Sequence, residues 1–303
     1  MDRIDNLYRK LRIFYKRLTG REKTTIFFVS FLFFIVFLKA IHDVRTYRII
    51  KKEEIEKAFK FKKVIVLYRE INRYTDIVPI NCSAVVPVTY TKVISLRGLP
   101  IPERKKKFID MVLPSILIVN FYIEQDRNFI KYIKNKIKNG KFLLPEEEEK
   151  VKELLERYKA ETLNELLEKM NVNPVSIVLA QAAIESGWGT SRFFVEANNI
   201  FGVWTFNKKY ASKIKARKSN VYLKAYPSLL NSVKDYYYSI NMSWAYKKFR
   251  LVRLRTDDPF LLSNYLEKYS ILRERYVEKI KIVIKTNNLT KYDNCSLSPA
   301  YIH

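Results

Sequence analysis

The stretch LAQAAIESGWGTSRFFVEANNIFGVWTF, Leu179 to Phe206, carries an apolar lead, a single acid at Glu185, and then a burst of glycine, tryptophan and serine. Its upstream half, NVNPVSIVLAQAAIES, has the strongest helix signals in the chain. Asn173 is placed to cap it, Pro174 suits a first helical position, and Gly187 falls just past its end. Val175, Val178, Leu179, Ala182 and Ala183 would face a core, with the alanines permitting close packing. Downstream, IFGVWTF and VYLKAY read as strands, so a small β-lobe follows the helix that ends at Glu185.

Moving outward, helices dominate. The segment from Leu99 to Gly140 has a helical period, with Pro102 near its start, Pro114 expected to kink it, and Asn139-Gly140 expected to end it. Pro145 followed by Glu146 to Glu149 reads as a helix first turn, where negative charge suits the dipole. Ser83 to Leu96 alternates around Pro87 and reads as extended. Past the lobe, helices are expected from Pro227, near Asp258 to Tyr269, and over RERYVEKIKIVIKTNN. The fold class is therefore mainly α, of the α+β type.

The N-terminal segment bears on compartment. TTIFFVSFLFFIVFLKAI, Thr24 to Ile41, has no charge between Ile26 and Leu38. As a helix it would reach about 27 Å, marginally enough to cross a bilayer. Arg9, Lys10, Arg12, Lys16, Arg17, Arg21 and Lys23 precede it, so 1–23 is expected to stay in the cytoplasm and the bulk of the chain to face outward. A retained anchor is favoured over a cleaved signal peptide, because the leader is long and no A-x-A site follows. Residues 42–80 read as a helical stalk, 81–170 as a helical N-terminal region and 295–303 as a tail.

Composition narrows the partners. The chain has 303 residues, 57 Lys plus Arg against 31 Asp plus Glu, and a net charge of +26. An anionic partner is expected, although a lysine-rich coding bias explains part of the excess. A nucleic-acid-binding role would need a cytoplasmic basic domain and a reading element, and neither is evident. The two histidines, His42 and His303, stand in no catalytic or metal-binding context, and no metal or cofactor is expected. Cys82 and Cys295 are open to pairing outside the cytoplasm or to being buried small apolar groups.

Glu185 follows Ala182, Ala183 and Ile184, with Trp188 three positions on. Apolar surroundings raise a glutamate's pKa, which suits a general acid. A structural acid is a poor choice at a helix C-terminus, where the dipole disfavours negative charge. Gly187 and Gly189 would let backbone approach a ligand closely, and Trp188 and Trp204 offer flat faces for sugar rings.

The blocks AQAAIESGWGTSRF, NNIFGVWTF, AYPSLLNSVKDY and YSILRERYVEKI closely resemble the bacterial β-N-acetylglucosaminidases of glycoside hydrolase family 73, and within them the Bax-like branch. LPIPERKKKFIDMVLPSILIVN resembles that branch too, so the likeness covers about residues 80 to 294. It implies a lysozyme-like catalytic domain over 171–294 that cuts peptidoglycan glycan strands on the reducing side of N-acetylglucosamine. It implies Glu185 as general acid and Tyr269 as a second active-site residue. It further implies substrate contacts at Ser186, Gly187, Trp188, Gly189, Ser191, Asn199, Phe201, Gly202, Trp204 and Tyr226.

The chain departs from the family in one respect. Many members carry a second acid in the β-lobe, yet no Asp or Glu stands between Glu196 and Asp235. That interval instead holds Lys208, Lys209, Lys213, Lys215, Arg217, Lys218, Lys224 and Lys234. A substrate-assisted route needs only one protein acid, because the 2-acetamido oxygen attacks the anomeric carbon. A lytic transglycosylase also works with one glutamate, and a wall-binding protein without turnover would need none. The basic lobe reads as a rim for an acidic polymer, a solvated lysine-rich surface, or a contact for anionic lipid.

Overall fold

The computed structural model describes residues 13–14, 16–56, 59–205, 211–215 and 222–303. It divides into two compact units, Met1–Phe59 and Lys60–His303. The first is built on helix α1, Gly20–Glu56. Thr19 and Glu22 close its start reciprocally: the Thr19 N–H donates to Glu22 Oε2 (2.7 Å), and the Glu22 N–H to Thr19 Oγ1 (3.4 Å). Phe27, Phe31, Phe33 and Phe37 are all exposed on it. Among the described residues two helices are long and apolar enough to cross a membrane, and the other is mostly buried in the second unit.

The helical reading of 42–80 is corrected from Phe59 onward. Leu67–Glu70 is strand β1, and Tyr74–Asp76 a single 3-10 turn. Val64, Ile65 and Val66 favour extended backbone. Asp76 Oδ2 then accepts from the N–H groups of Asn72 (3.0 Å) and Arg73 (2.8 Å), closing a turn instead of extending a helix. β1 pairs in parallel with β2, Val88–Lys92, matching Leu67 to Val88 and Arg69 to Tyr90. Val88, Thr89 and Tyr90 are buried.

Helix α2, Ile101–Lys138, forms the core's long wall and stops at Asn139 with Gly140 at φ +65°. The expected kink does not divide it: the helix continues through the buried Pro114. Phe108, Met111, Val112, Leu113, Ile116 and Ile118 around it are fully buried, and such packing holds a helix that has lost one backbone bond. Helix α3, Pro145–Arg157, begins in the glutamate run. One of those glutamates does more than suit the dipole: Glu147 is buried and pairs with Lys136 (3.0 Å) while accepting from Tyr132 (2.9 Å). Helix α4 spans Leu163–Lys169.

The central helix α5, Val175–Ser186, is almost wholly buried. Its start differs from the expectation by one residue, with Pro174 at the cap. Asp293 supplies the missing acceptor, taking the Ser176 N–H (2.7 Å) and hydroxyl (2.8 Å). A carboxylate there also favours the helix dipole. The Asn173 side chain instead accepts from Arg253.

A short helix α6, Arg192–Ala197, leads to a three-stranded antiparallel lobe of β3 (Trp204–Thr205), β4 (Ala211–Lys215) and β5 (Tyr222–Lys224), in the order β3-β5-β4. β3 and β5 fall within the expected strands, whereas β4 was not foreseen. Lys208, Lys209, Arg217 and Lys218 lie outside the described residues. Helices α7 (Leu229–Met242), α8 (Lys247–Arg253), α9 (Pro259–Ser263) and α10 (Glu274–Thr286) complete the unit. The fold class is as expected, mainly helical with small sheets.

Candidate active site

Glu185 sits in the last turn of α5, half-buried. Burial pushes its carboxyl above the ordinary glutamate value, against the opposing pull of a hydrogen bond from Tyr276 and the charge of Lys279. Tyr276 Oη donates to Glu185 Oε1 at 2.8 Å. Tyr276 in turn accepts from Gln181 Nε2 (3.2 Å), and Gln181 Oε1 accepts from Tyr236 (2.6 Å). Gln181 lies one helical turn before Glu185, so both present the same face of α5 to Tyr276. Every donor in this chain points toward the carboxylate, and each bond polarises the next.

Tyr269 joins the same cluster. Its ring stacks on Tyr276, with centroids 5.5 Å apart and planes 8° from parallel. It also meets Tyr236 and Tyr246, each at 6.3 Å. Burial, reinforced by neighbouring tyrosines and by the Glu185 charge, drives the Tyr269 phenol well above its ordinary value. Neutral Tyr269 therefore keeps its proton as a donor throughout the physiological range. Phe201 reaches the cluster by stacking on Tyr236 at 4.3 Å.

The turn after Glu185 is left-handed at three consecutive residues: Gly187 (φ +58°), Trp188 (+56°) and Gly189 (+77°). Gly189 is buried where a Cβ would stand 3.0 Å from Leu96 Cδ1 and 3.2 Å from Phe108 Cδ2. The Gly189 carbonyl accepts from the Leu96 N–H (3.1 Å), and the Ser186 hydroxyl accepts from the Gly189 N–H (3.2 Å). Trp188 meets Phe108 edge-on at 5.7 Å, with the Lys105 ammonium 5.3 Å from its ring.

Several expected contact residues are occupied in holding the backbone. Ser191 caps α6 through the Phe194 N–H. Asn199 ties the lobe, donating to the carbonyls of Val203 and Lys224, both at 2.9 Å. Tyr226 donates to Asp235 (2.6 Å), which also binds Lys224 (2.8 Å). Trp204 stands half exposed on β3, and Gly202 has φ +66° with open space around it. Sequence reasoning did not single out Tyr276, Gln181 or Tyr236. The signal was there for Gln181, four residues before Glu185 on a helix. No group of three or more metal-ligating side chains occurs among the described residues.

With this geometry in place, comparison with known proteins is informative. Residues 160–289 match the glucosaminidase family, described as mannosyl-glycoprotein endo-beta-N-acetylglucosaminidase. That interval contains Glu185, Tyr276 and the tyrosines around them. Protein bax of Escherichia coli (strain K12) is 32% identical over 161 residues, covering 50% of this chain and 55% of the relative. Exo-glucosaminidase LytG of Bacillus subtilis (strain 168) is 29% identical over 150 residues, covering 44% and 50%. The chain spans about half the length of these curated relatives. No solved structure matches it. Residues 160–289 are thus similar to the glucosaminidase family, and half of the chain is similar to protein bax, the two comparisons pointing to the same segment around Glu185.

Proposed function

We propose that this protein is a membrane-anchored peptidoglycan hydrolase that cuts the β-1,4 bond on the reducing side of N-acetylglucosamine. The observation that carries the proposal is Glu185 itself: a half-buried carboxyl, raised by burial and held by Tyr276, inside the family domain. Protonated Glu185 donates to the departing glycosidic oxygen as the bond to the anomeric carbon breaks. Asp235, the acid that closes the acid-free interval, is engaged by Lys224 and Tyr226 and makes a poor base. The substrate's acetamido oxygen is therefore the nucleophile. It bonds to the anomeric carbon, and water then opens that ring with net retention. Tyr269, neutral and beside the acid's partner, orients the acetamide. Helix α1 is the anchor, with the basic leader inside and Lys60–His303 on the periplasmic side.

The test is digestion of purified peptidoglycan by the full chain in detergent, beside Glu185→Gln, with products reduced and weighed. Reduced N-acetylglucosamine ends from the wild type alone, formed with retention and lost as pH rises through the Glu185 pKa, are expected. Product lengths separate endo action from exo action, the latter being the mode named for the LytG relative. Anhydromuramyl ends would make the protein a lytic transglycosylase, a reading the acid-free lobe also accommodates. Net inversion would remove the acetamide from the mechanism. Wall binding without product would indicate a binding protein.

A further inference from the structure

Two tryptophans, one three residues after Glu185 and one sharing a 3-10 turn with Tyr246 of the Tyr269 cluster, each carry a lysine ammonium over the indole. Lys105, from α2, stands 5.3 Å from the Trp188 ring, and Trp188 follows Glu185 by three residues. Lys268 stands 4.7 Å from the Trp244 ring. Lys268 directly precedes Tyr269, whose ring stacks on the tyrosine that binds Glu185. Trp244 shares a single 3-10 turn with Tyr246, which meets Tyr269 from its other side in sequence. The two pairs come from different elements and share no residue. Neither ammonium has a carboxylate partner among the described residues.

Trp244 is the more telling of the two. It is 78% exposed even with Lys268 over one face, so the opposite face is open to solvent. Nothing in the core requires an indole there. A flat apolar face beside an uncompensated cation fits a sugar ring that bears a carboxylate. In a glycan that alternates N-acetylglucosamine with muramic acid, a cut on the reducing side of the former leaves a muramyl unit on each flank. Each flank then presents a lactyl group, with a carboxylate on it or on the stem peptide it carries.

We propose that Lys268 with Trp244, and Lys105 with Trp188, are two subsites for the carboxylate-bearing muramyl units on either side of the scissile bond. The proposal rests on the glucosaminidase reading and adds what selects the substrate. It gives α2, which lies outside the matched family domain, a direct part in recognition.

The test uses the full chain carrying Glu185→Gln, so that ligand is not consumed. Binding is measured for a muramyl-containing peptidoglycan tetrasaccharide and for the chitin tetramer, which has equal length and no carboxylate. Lys268→Gln and Lys105→Gln should each weaken the muramyl ligand roughly two- to fivefold, the range of an exposed ion pair, and leave the chitin tetramer unchanged. Trp244→Ala should weaken both ligands, since it removes the stacking face. Raised salt should erase the difference between the lysine variants and their parent. Equal effects of the lysine changes on both ligands, or none on either, would overturn the proposal, as would failure of the parent to prefer the muramyl ligand. Wall digestion by the wild type, read separately, reports whether the glucosaminidase reading stands when the subsites do not.

Discussion

Glu185 is pulled in two directions. The hydrogen bond from Tyr276 favours the carboxylate, while burial favours the neutral acid, and burial prevails. Its place in the last turn of α5 adds to the cost of the charge. A carboxyl raised above its unfolded value binds more protons in the native state. Its stability contribution is fully present below the unfolded pKa and is lost as pH rises through the folded one. On the proposed mechanism Glu185→Gln should abolish turnover, and because it removes a charge that burial disfavours it should raise Tm at pH 7, on the order of 1–3 °C for a domain of this size. The gain should shrink toward zero on acidification to about pH 3, below the ordinary glutamate value, where the wild-type acid is protonated in both states. Thermal melts of both proteins at the two pH values check this, and a lower Tm for the glutamine variant at pH 7 would contradict it. The half-buried place of Glu185 was legible in sequence because a single carboxylate closes an otherwise apolar helix. Its partner was not: Tyr276 lies 91 residues on, one of 21 tyrosines, and only tertiary packing aims its hydroxyl at Oε1.

At the scale of elements, the glycines after α5 separate two kinds of constraint. Gly189 has both a left-handed backbone and no room for a Cβ, because Leu96 and Phe108 close on it. Gly202 has the same backbone hand, and nothing lies within 4 Å of where its Cβ would be. Gly202→Ala should thus cost only the backbone term, about 1–2 kcal/mol. Gly189→Ala adds overpacking of about 1–3 kcal/mol and should also displace the Leu96 bond that ties this turn to the entry of α2. Urea unfolding of both variants gives the comparison, and equal losses would show that the Leu96–Phe108 wall yields freely. Helix ends set by local chemistry, such as Asn139-Gly140 and Gly187, were readable from the sequence. The start of α5 was misplaced because its acceptor, Asp293, is 117 residues distant. Strand β4, with its alternation of Lys213 and Lys215 around Ile214, has too little apolar content to announce itself and depends on pairing with β5.

At the scale of the Lys60–His303 unit, the chain is closed on itself. Residues 295–303, expected to be a tail, are laced to the unit's beginning: His303 donates to the Lys63 carbonyl (2.9 Å), and Tyr301 accepts from the Ile65 N–H (2.9 Å). Val85 pairs with Leu297, and a disulfide joins Cys82 to Cys295, with Cα atoms 4.6 Å apart. Sequence alone left that pairing open, since nothing local brings together cysteines 213 residues apart. A covalent bond there accords with a domain facing an oxidising compartment. It also stands two residues from Asp293, which caps the helix carrying Glu185. The cross-link restricts nearly the whole unfolded unit, so its loss should be felt globally, by about 2–5 kcal/mol. The Cys82→Ser, Cys295→Ser double variant and the reduced wild type should melt together, several degrees below the oxidised protein. The two should also lose activity at the same lower temperature, because the cap at Ser176 is freed with the segment that bears it. If the oxidised and reduced proteins melted alike, the backbone lacing of 297–303 onto 63–85 would be sufficient by itself, and the disulfide would be dispensable to the architecture that supports the acid.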